Sequence, residues 1–299
     1  VFYAPQYVAQ ELGFFEEEGL DVSVAVGNGA DKSMTALLSD SADIALLGTE
    51  AGLYVYAEGK ADYPKTFAQL TQRAGNFLVS REDEPDFQWS DLERKSVIGG
   101  RLGGMPEMVF EYILKKNGIN PQKDLSINQS IDFGSTAAAF SGGQADYTIE
   151  FEPSATALEA ENSGYVVASL GVDSGYVPYT AYSAKTSYLN ANPNIIQKFT
   201  NALQKGMDFV QSHTPEEIAK VIAPQFKETD LATITTIVSR YYEQDTWKSD
   251  LIFNEESFNL LQDILENSGE LKERVPYEEL VTTTFAKNCL LYTSDAADE

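Results

Sequence analysis

The stretch FYAPQYVAQELGFFEEEGLDVSVAV, residues 2–26, joins an aromatic loop, a broken helix and an alternating segment. Two short helical pieces are predicted, and Gly13 and Gly19 stand where left-handed residues commonly end a helix. Residues 21–26 place a valine at every second position, which predicts a β-strand with one apolar face. The chain therefore reaches its first predicted strand only after a loop and a helix.

The composition indicates an acidic α/β protein. The chain has 299 residues, of which 43% are hydrophobic, enough for one large domain or two medium ones. Helical and strand patterns alternate along the sequence, as in α/β proteins. No apolar run reaches the roughly 18 residues that span a bilayer. The net charge of −25 argues against nucleic acid as a partner, because phosphates would be repelled.

The segment CLLYTSDAADE, residues 289–299, has no periodicity and resembles the translation of an adapter used for sequencing libraries. We interpret 289–299 as an assembly artefact and leave it out of the predicted fold. Without Cys289 the chain has no cysteine, which excludes disulfides, thiolate catalysis and thiolate metal sites. His213, the one histidine, ends a predicted helix and is expected to be structural. No metal and no cofactor are expected.

The order of elements predicts two lobes. Residues 1–80 and 88–171 show the same alternation of helix and strand, and helices dominate after residue 186. Thr214, Pro215 and Glu217 form a predicted capping box with a proline in the first turn. We therefore expect two α/β lobes, with a group of helices added at the end of the chain.

Five segments together carry a resemblance to a known family. They are YAPQYVAQELGFFEEEGLDVSV at 3–24, MTALLSDSADIALLGTEA at 34–51, SDLERKSVIGGRLGG at 90–104, AAAFSGGQADYTIEFEPSA at 137–155, and NPNIIQKFTNALQKGMDFVQSHTPEEIAKVI at 192–222. Their order and spacing resemble solute-binding proteins of ABC transporters, in the group that binds nitrate, sulfonates, taurine and thiamine-type pyrimidines. Members of that group begin with a strand before the aromatic loop. The resemblance implies that this first strand, and a signal peptide or lipoprotein cysteine, are missing here.

What the resemblance implies is a type II periplasmic-binding fold with two lobes. Lobe 1 would comprise 1–80 and 182–288, lobe 2 would comprise 81–181, and hinge segments near 76–82 and 174–184 would cross between them. A small solute would bind in the cleft without chemical change, and the closed protein would dock on a membrane permease. The expected protein is a monomer outside the cytoplasm, either periplasmic or anchored as a cell-surface lipoprotein.

The candidate ligand-binding residues lie where strands end and helices begin. Loops at the carboxyl ends of strands form the crevice of open α/β sheets, and helix N-termini there offer free N–H groups. Glycine-rich or hydroxyl-rich turns fit this position at 27–29, 100–104 and 134–136, although each could be an ordinary strand-to-helix turn. The candidates are Tyr3, Tyr7, Asn28, Thr49, Glu50, Arg73, Asn76, Arg101, Gly103, Gly104, Met105, Ser135, Glu150, Glu152, Tyr176 and Tyr179.

Several of these residues also have a structural interpretation. Arg73 and Arg101 could hold an anion by paired hydrogen bonds, or form salt bridges with the many acids. Glu50 could contact ligand or simply favour a helix start. Glu150 and Glu152 share one strand face. Paired carboxylates also serve glycosidases, but the family resemblance places these two at a binding rim. The tyrosines could line the cleft or pack in the core and hinge.

The sequence leaves the ligand open, and two other classes of function are weaker alternatives to solute binding. Aromatic loops and the acids at 50, 150 and 152 favour a thiamine-type pyrimidine or another amino-heterocycle, whereas the arginines favour a sulfonate, nitrate or taurine. An enzyme similar to the fungal pyrimidine synthases is a second class. Those enzymes carry a cysteine-rich segment and active-site histidines, whereas this chain has no cysteine before residue 289 and only one histidine. A ligand-responsive regulatory domain is a third class, against which the acidic charge argues.

Overall fold

A computed structural model describes residues 1–295, with side chains as far as Leu291. Two short 3-10 turns span Trp89–Leu92 and Ala223–Gln225. The strands are β1 Ala45–Gly48, β2 Pro64–Thr71, β3 Asn76–Ser80, β4 Ser96–Ile98, β5 Ser126–Asn128, β6 Tyr147–Phe151, β7 Tyr165–Ser169 and β8 Thr180–Lys185. The helices are α1 Ala4–Glu11, α2 Phe14–Glu17, α3 Ala30–Leu38, α4 Glu50–Ala57, α5 Met105–Lys116, α6 Thr136–Ser141, α7 Ser154–Ala160, α8 Leu170–Ser174, α9 Thr186–Ala191, α10 Pro193–Ser212, α11 Pro215–Ile222, α12 Leu231–Glu243, α13 Glu255–Ser268, α14 Tyr277–Leu280 and α15 Thr284–Asp295.

Lobe 1 is built on a small antiparallel sheet in the order β1-β8-β2. Phe67 of β2 and Tyr182 of β8 both lie against Phe199 of the long helix α10. The face of α10 that is buried carries residues three and four apart, as expected for an amphipathic helix. We assign α1–α4 and α9–α15 to this lobe.

Lobe 2 is built on a mixed sheet in the order β5-β4-β6-β3-β7. Strands β4, β5 and β6 run parallel, and β3 lies antiparallel between β6 and β7. Helices α5–α7 connect strands of this sheet and α8 follows β7, which matches the helix–strand alternation in the sequence. The parallel strands are the ones whose carboxyl ends form a crevice in open α/β sheets.

The chain passes between the two sheets at two places. β2 ends at Thr71 in the first sheet and β3 begins at Asn76 in the second, so the first crossing is 72–75. This lies ahead of the expected crossing at 76–82, because 76–80 already pairs as β3. The return crossing is 175–179, within the expected 174–184.

The predicted strand at 21–26 is wrong. The segment is extended in part but pairs with no strand among residues 1–295. Alternation of valines describes a surface that could pair, but a strand forms only where a neighbour supplies hydrogen-bond partners. Val24 and Val26 are consequently exposed.

Two features at the ends of helices bear on earlier expectations. The capping box at α11 is confirmed, since Thr214 Oγ1 accepts from the Glu217 N–H and a Glu217 carboxylate oxygen accepts from the Thr214 N–H.

Helix α15 runs past Cys289, whose side chain is buried. The interpretation of 289–299 as an artefact stays a prediction. Among the described helices, none combines the length and apolarity needed to cross a bilayer.

Candidate functional site

The candidate site lies between the lobes, where α4 of lobe 1 meets the loop before α5 of lobe 2. Tyr54 Oη donates a hydrogen bond to the Gly103 carbonyl at 2.7 Å. The Met105 N–H donates to Glu50 Oε1 at 3.4 Å, and the Arg101 guanidinium lies 3.7 Å from an Asp31 carboxylate oxygen. These contacts join lobe 1 to the loop before α5 of lobe 2.

Glu50 is the central acid of this site. It begins α4 and is only 1% exposed, and its Oε2 atom finds no hydrogen-bond partner in the described part of the chain. Burial raises the pKa of Glu50 to about 7, although the Met105 N–H and the positive charge of Arg101 partly oppose the shift. One oxygen of this carboxyl is therefore available to a donor group on a ligand.

Tyr179 and Asn76 add further polar atoms without partners. Tyr179 is 2% exposed and Asn76 is fully buried. The Tyr179 hydroxyl and both polar atoms of the Asn76 amide bond to nothing within residues 1–291. Buried polar groups in proteins are nearly always hydrogen-bonded, so each exception calls for a partner outside the protein, such as water or a ligand. Burial and the nearby acid Glu50 also raise the pKa of Tyr179 well above its usual value, which keeps its hydroxyl protonated.

Aromatic rings form one wall beside these polar atoms. Phe151 lies 6.2 Å from Tyr179 and 5.7 Å from Phe133, measured between ring centroids. Asn76 and Phe151 are paired across β3 and β6, so their side chains share one sheet face. Tyr3, whose pKa is raised by burial, continues the ring contacts through Phe2. Planar, partly apolar ligands suit such a wall.

The turn at 100–104 is the one predicted glycine-rich turn that reaches this site. Its Gly103 carbonyl and the Met105 N–H face α4, and Gly104 precedes the first turn of α5. The other two turns are more open. Asn28 and Ser135 are both exposed, and neither makes a hydrogen bond across the cleft among the described residues.

The two acids at the end of β6 are occupied by protein partners. Glu150 accepts from the hydroxyls of Thr148 at 2.7 Å and Thr136 at 3.0 Å, while burial raises its pKa to about 7. Glu152 pairs with Arg240 of α12 at 2.9 Å and also accepts from Thr156. Glu152 therefore links lobe 2 to α12.

Four other candidates lie at the hinge or in packing positions. The Arg73 guanidinium lies 4.2 Å from the Tyr176 ring centroid and donates to the Gly171 carbonyl. The Tyr176 hydroxyl donates to Asp245 at 2.6 Å. Thr49 Oγ1 donates to the Pro178 carbonyl of the return crossing. Tyr7 packs edge-on against Phe226 in lobe 1.

Sequence reasoning missed Tyr54, Phe133 and Phe151. Tyr54 could have been found, because it follows Glu50 by four residues and so shares its helix face. Phe151 sits between the two acids that were chosen, on the opposite strand face. Phe133 lies in the loop before α6 and is 48% exposed. No pattern in the sequence marks it as a site residue.

No group of three or more histidine, cysteine, aspartate or glutamate side chains that could hold a metal occurs in the described chain. A groove of about 360 Å³ lies elsewhere, between β7 and α12, and is lined in part by Val166, Arg240 and Gln244. It shares no lining residue with the site at Glu50.

Comparisons with known proteins place these observations in a family. Residues 2–218 match the family profile described as NMT1/THI5 like. The protein named "Putative binding protein YtlA" from Bacillus subtilis (strain 168) is 46% identical over 287 residues, which cover 96% of this chain and 86% of that protein.

Two solved structures share the fold at low sequence identity. The alkanesulfonate-binding protein SsuA from Xanthomonas axonopodis pv. citri, bound to MOPS, has a TM-score of 0.77 at 17% identity and covers 94% of each chain. The periplasmic nitrate-binding protein NrtA from Synechocystis PCC 6803 has a TM-score of 0.76 at 16% identity, covering 99% of this chain and 87% of that one. The chain belongs to the NMT1/THI5-like family and has the two-lobed periplasmic-binding-protein fold.

Proposed function

We propose that this protein is the substrate-binding component of an ABC importer. It captures a small solute between its lobes and delivers it to a membrane permease without altering it. The fold and the YtlA relative, itself named a binding protein, support this class of function. The mechanism is a shift of population toward a closed form that the ligand stabilises.

The single observation that carries the proposal is the set of buried polar atoms without partners between the lobes. Glu50 Oε2, the Tyr179 hydroxyl and the Asn76 amide have no partner in the described chain. Tyr179 connects the three, because burial and the nearby Glu50 raise its pKa and its ring lies 6.2 Å from that of Phe151, the strand partner of Asn76. Leaving such groups unpaired costs about 1–3 kcal/mol each, so a ligand that supplies the missing partners gains that energy.

The favoured ligand is a thiamine-type pyrimidine or a similar amino-heterocycle. Its N–H groups would donate to the free oxygen of Glu50, its ring nitrogens and substituents would pair with the Asn76 amide, and its ring would lie against Phe151 and Tyr3. The ligand-binding candidates at Thr49, Arg101 and 103–105 would complete the rim of the same cleft.

A sulfonate, nitrate or taurine is the second candidate. SsuA and NrtA are named for sulfonate and nitrate. Arg73 Nε is buried without a partner in the described residues, and this N–H could meet an anion. Against it, Arg101 already pairs with Asp31, and the acid Glu50 would repel an anion. An enzymatic role similar to pyrimidine synthesis is the least supported reading, since the one histidine, His213, stacks on Phe209 at the end of α10.

The proposal includes the setting in which the protein works. We place it outside the cytoplasmic membrane, as a periplasmic protein or a surface lipoprotein, and as a monomer. Its partners are the solute and the permease, and the acidic charge of −25 disfavours nucleic acid.

A thermal-shift screen followed by calorimetry tests the ligand class. The panel is 4-amino-5-hydroxymethyl-2-methylpyrimidine, thiamine, taurine, an alkanesulfonate and nitrate. A ligand at a hundredfold excess over its Kd should stabilise the protein by about 2.7 kcal/mol. We expect the aminopyrimidine to bind, Glu50→Gln and Asn76→Ala to abolish binding, and the exposed control Glu228→Gln to leave it unchanged.

The outcomes separate the alternatives. Stabilisation by sulfonate or nitrate alone would replace the heterocycle with the anion. Binding of any compound that survives both cleft substitutions would place the ligand elsewhere. Recovery of a chemically changed compound would contradict the transport role.

A further inference from the structure

Three polar contacts from lobe 1 reach the loop 101–105, and the Glu270 carboxylate of lobe 1 also lies beside Gly103. Asp31 reaches Arg101, Tyr54 reaches the Gly103 carbonyl and Glu50 reaches the Met105 N–H. Two of them are weak by geometry. The Arg101 and Asp31 side chains are 40% and 48% exposed, and exposed ion pairs contribute little. The bond from Met105 is long at 3.4 Å.

The Tyr54 bond is the short one, at 2.7 Å. Its hydroxyl also lies 3.6 Å from the sulfur of Met108, one turn into α5. Tyr54 is half-buried, so water competes poorly for this bond. Burial and the neighbouring acids raise the pKa of Tyr54, with Glu50 the largest contributor among them, so its hydroxyl remains a donor.

Gly103 is held in the orientation that Tyr54 requires. Its φ of +75° is a left-handed conformation that glycine adopts readily. Its N–H donates to Glu107 Oε2 at 3.2 Å, so the peptide groups around Gly103 are fixed from lobe 2 as well as from lobe 1. The carbonyl is therefore presented to α4 by the lobe 2 framework.

Glu50 and Tyr54 are four residues apart on α4 and project from the same face. A loop held by Tyr54 at Gly103 brings the Met105 N–H to Glu50, the acid assigned to the ligand. The Tyr54–Gly103 hydrogen bond is thus coupled to the orientation of the Glu50 carboxyl.

We propose that Tyr54 is a positioning residue that latches lobe 2 onto lobe 1 through the Gly103 carbonyl and thereby sets how long a captured solute stays bound. This inference rests on the proposed function for its ligand readout. Its conformational readout needs no ligand.

Tyr54→Phe removes only the hydroxyl and is compared with Tyr56→Phe. Tyr56 lies on the same helix but packs against Tyr63, away from the loop. Small-angle X-ray scattering of the ligand-free protein should give a larger radius of gyration for Tyr54→Phe than for wild type or Tyr56→Phe. Amide hydrogen exchange should accelerate in peptides covering 101–105 for Tyr54→Phe alone.

Stopped-flow binding with 4-amino-5-hydroxymethyl-2-methylpyrimidine supplies the second readout. Tyr54→Phe should raise koff roughly two- to tenfold, the range expected for one neutral hydrogen bond, with kon little changed. Asp31→Asn should alter koff by less than about twofold, because its ion pair is exposed.

Each outcome decides something. Equal scattering and exchange for Tyr54→Phe and Tyr56→Phe overturn the latch, and so does an Asp31→Asn effect as large as that of Tyr54→Phe. If the pyrimidine fails to bind wild type while scattering separates the two tyrosine variants, the ligand assignment fails and the latch stands.

Discussion

Glu111→Gln should change the pH dependence of stability because Glu107 and Glu111 form a buried acid pair in α5. They are 1% and 4% exposed, and their carboxyl groups hydrogen-bond each other. Glu107 also accepts from the Gly103 N–H and from Gln129 Nε2 at 2.7 Å. Burial, followed by the bond to Glu111 and its charge, raises the pKa of Glu107 above the ordinary 4.5.

The sign follows from the direction of that shift. A carboxyl with a raised pKa in the folded state binds its proton more tightly there than in the unfolded chain. Its stabilising contribution is fully present below about pH 4.5, the ordinary value, and is lost as pH rises through the raised folded-state value. Wild type should therefore lose stability between pH 5 and pH 8.

The amide introduced by Glu111→Gln would donate permanently the hydrogen bond that the shared proton now provides. The like charge beside Glu107 disappears, and one unit of pKa corresponds to about 1.4 kcal/mol. We expect Glu111→Gln to be more stable than wild type by about 2 kcal/mol at pH 8. At pH 5 we expect it to be equal or less stable by about 0.5 kcal/mol, because the contact of Glu111 with Lys115 at 3.6 Å is lost.

Urea unfolding at pH 5 and pH 8, followed by circular dichroism, measures both differences. Similar m-values are required for the comparison. The exposed Glu228→Gln variant is the control and should shift neither value. Equal destabilisation by Glu111→Gln at the two pH values would refute the shared-proton account and leave Glu111 with an ordinary packing role.

Three further predictions concern stability. Gly206→Ala in α10 should cost about 2 kcal/mol or more, because a Cβ there would lie 2.2 Å from the Pro5 carbonyl oxygen. Gly52→Ala in α4 should stabilise the protein by up to about 1 kcal/mol, because its Cβ would meet nothing closer than 4.0 Å. Thermal unfolding that shows the same sign for both variants would contradict this. Asn76→Leu should raise the free energy of unfolding of the ligand-free protein by about 1 kcal/mol while abolishing solute binding, as two polar atoms without described partners are removed; a loss of stability would indicate that Asn76 is satisfied in solution. Arg240→Met should lower the free energy of unfolding in urea by about 2–3 kcal/mol, because buried Glu152 loses its counter-ion. Adding Glu152→Gln to Arg240→Met should recover part of that stability. If the double variant recovers none, the loss does not come from the ion pair.

The sequence predicted the elements whose signals are local. The group of helices after residue 186 and the capping box at Thr214 both follow from periodicity or from side chains within a few residues of the backbone groups they bond. The strand at 21–26 failed for the complementary reason. Its pattern was correct, but pairing depends on a neighbour that the pattern does not contain.

The candidate site was predictable only in part. Glu50, Asn76 and Tyr179 were selected because they follow strands or lie near crossings, and in the structure all three are buried and carry polar atoms without a partner in the described chain. Glu152 could not be assigned correctly from sequence, because its partner Arg240 lies 88 residues away on α12. Tyr54 is an intermediate case, because its place on the helix face of Glu50 is visible in the sequence but its bond to a carbonyl 49 residues further along is not.

Under the proposed function, the energetic balance between the lobes makes capture depend on a solute. The Tyr54 bond contributes about 0.5–1.5 kcal/mol to closure, and the exposed Arg101–Asp31 pair adds about 0–1 kcal/mol. Against these, the unpaired oxygen of Glu50, the Tyr179 hydroxyl and the Asn76 amide each cost about 1–3 kcal/mol when closure removes them from water. On these contacts alone, closure without ligand is therefore unfavourable. A solute that hydrogen-bonds to those atoms reverses the balance, whereas a molecule that leaves them unpaired does not. The polar groups that weaken the empty closed form are therefore the ones that give it specificity.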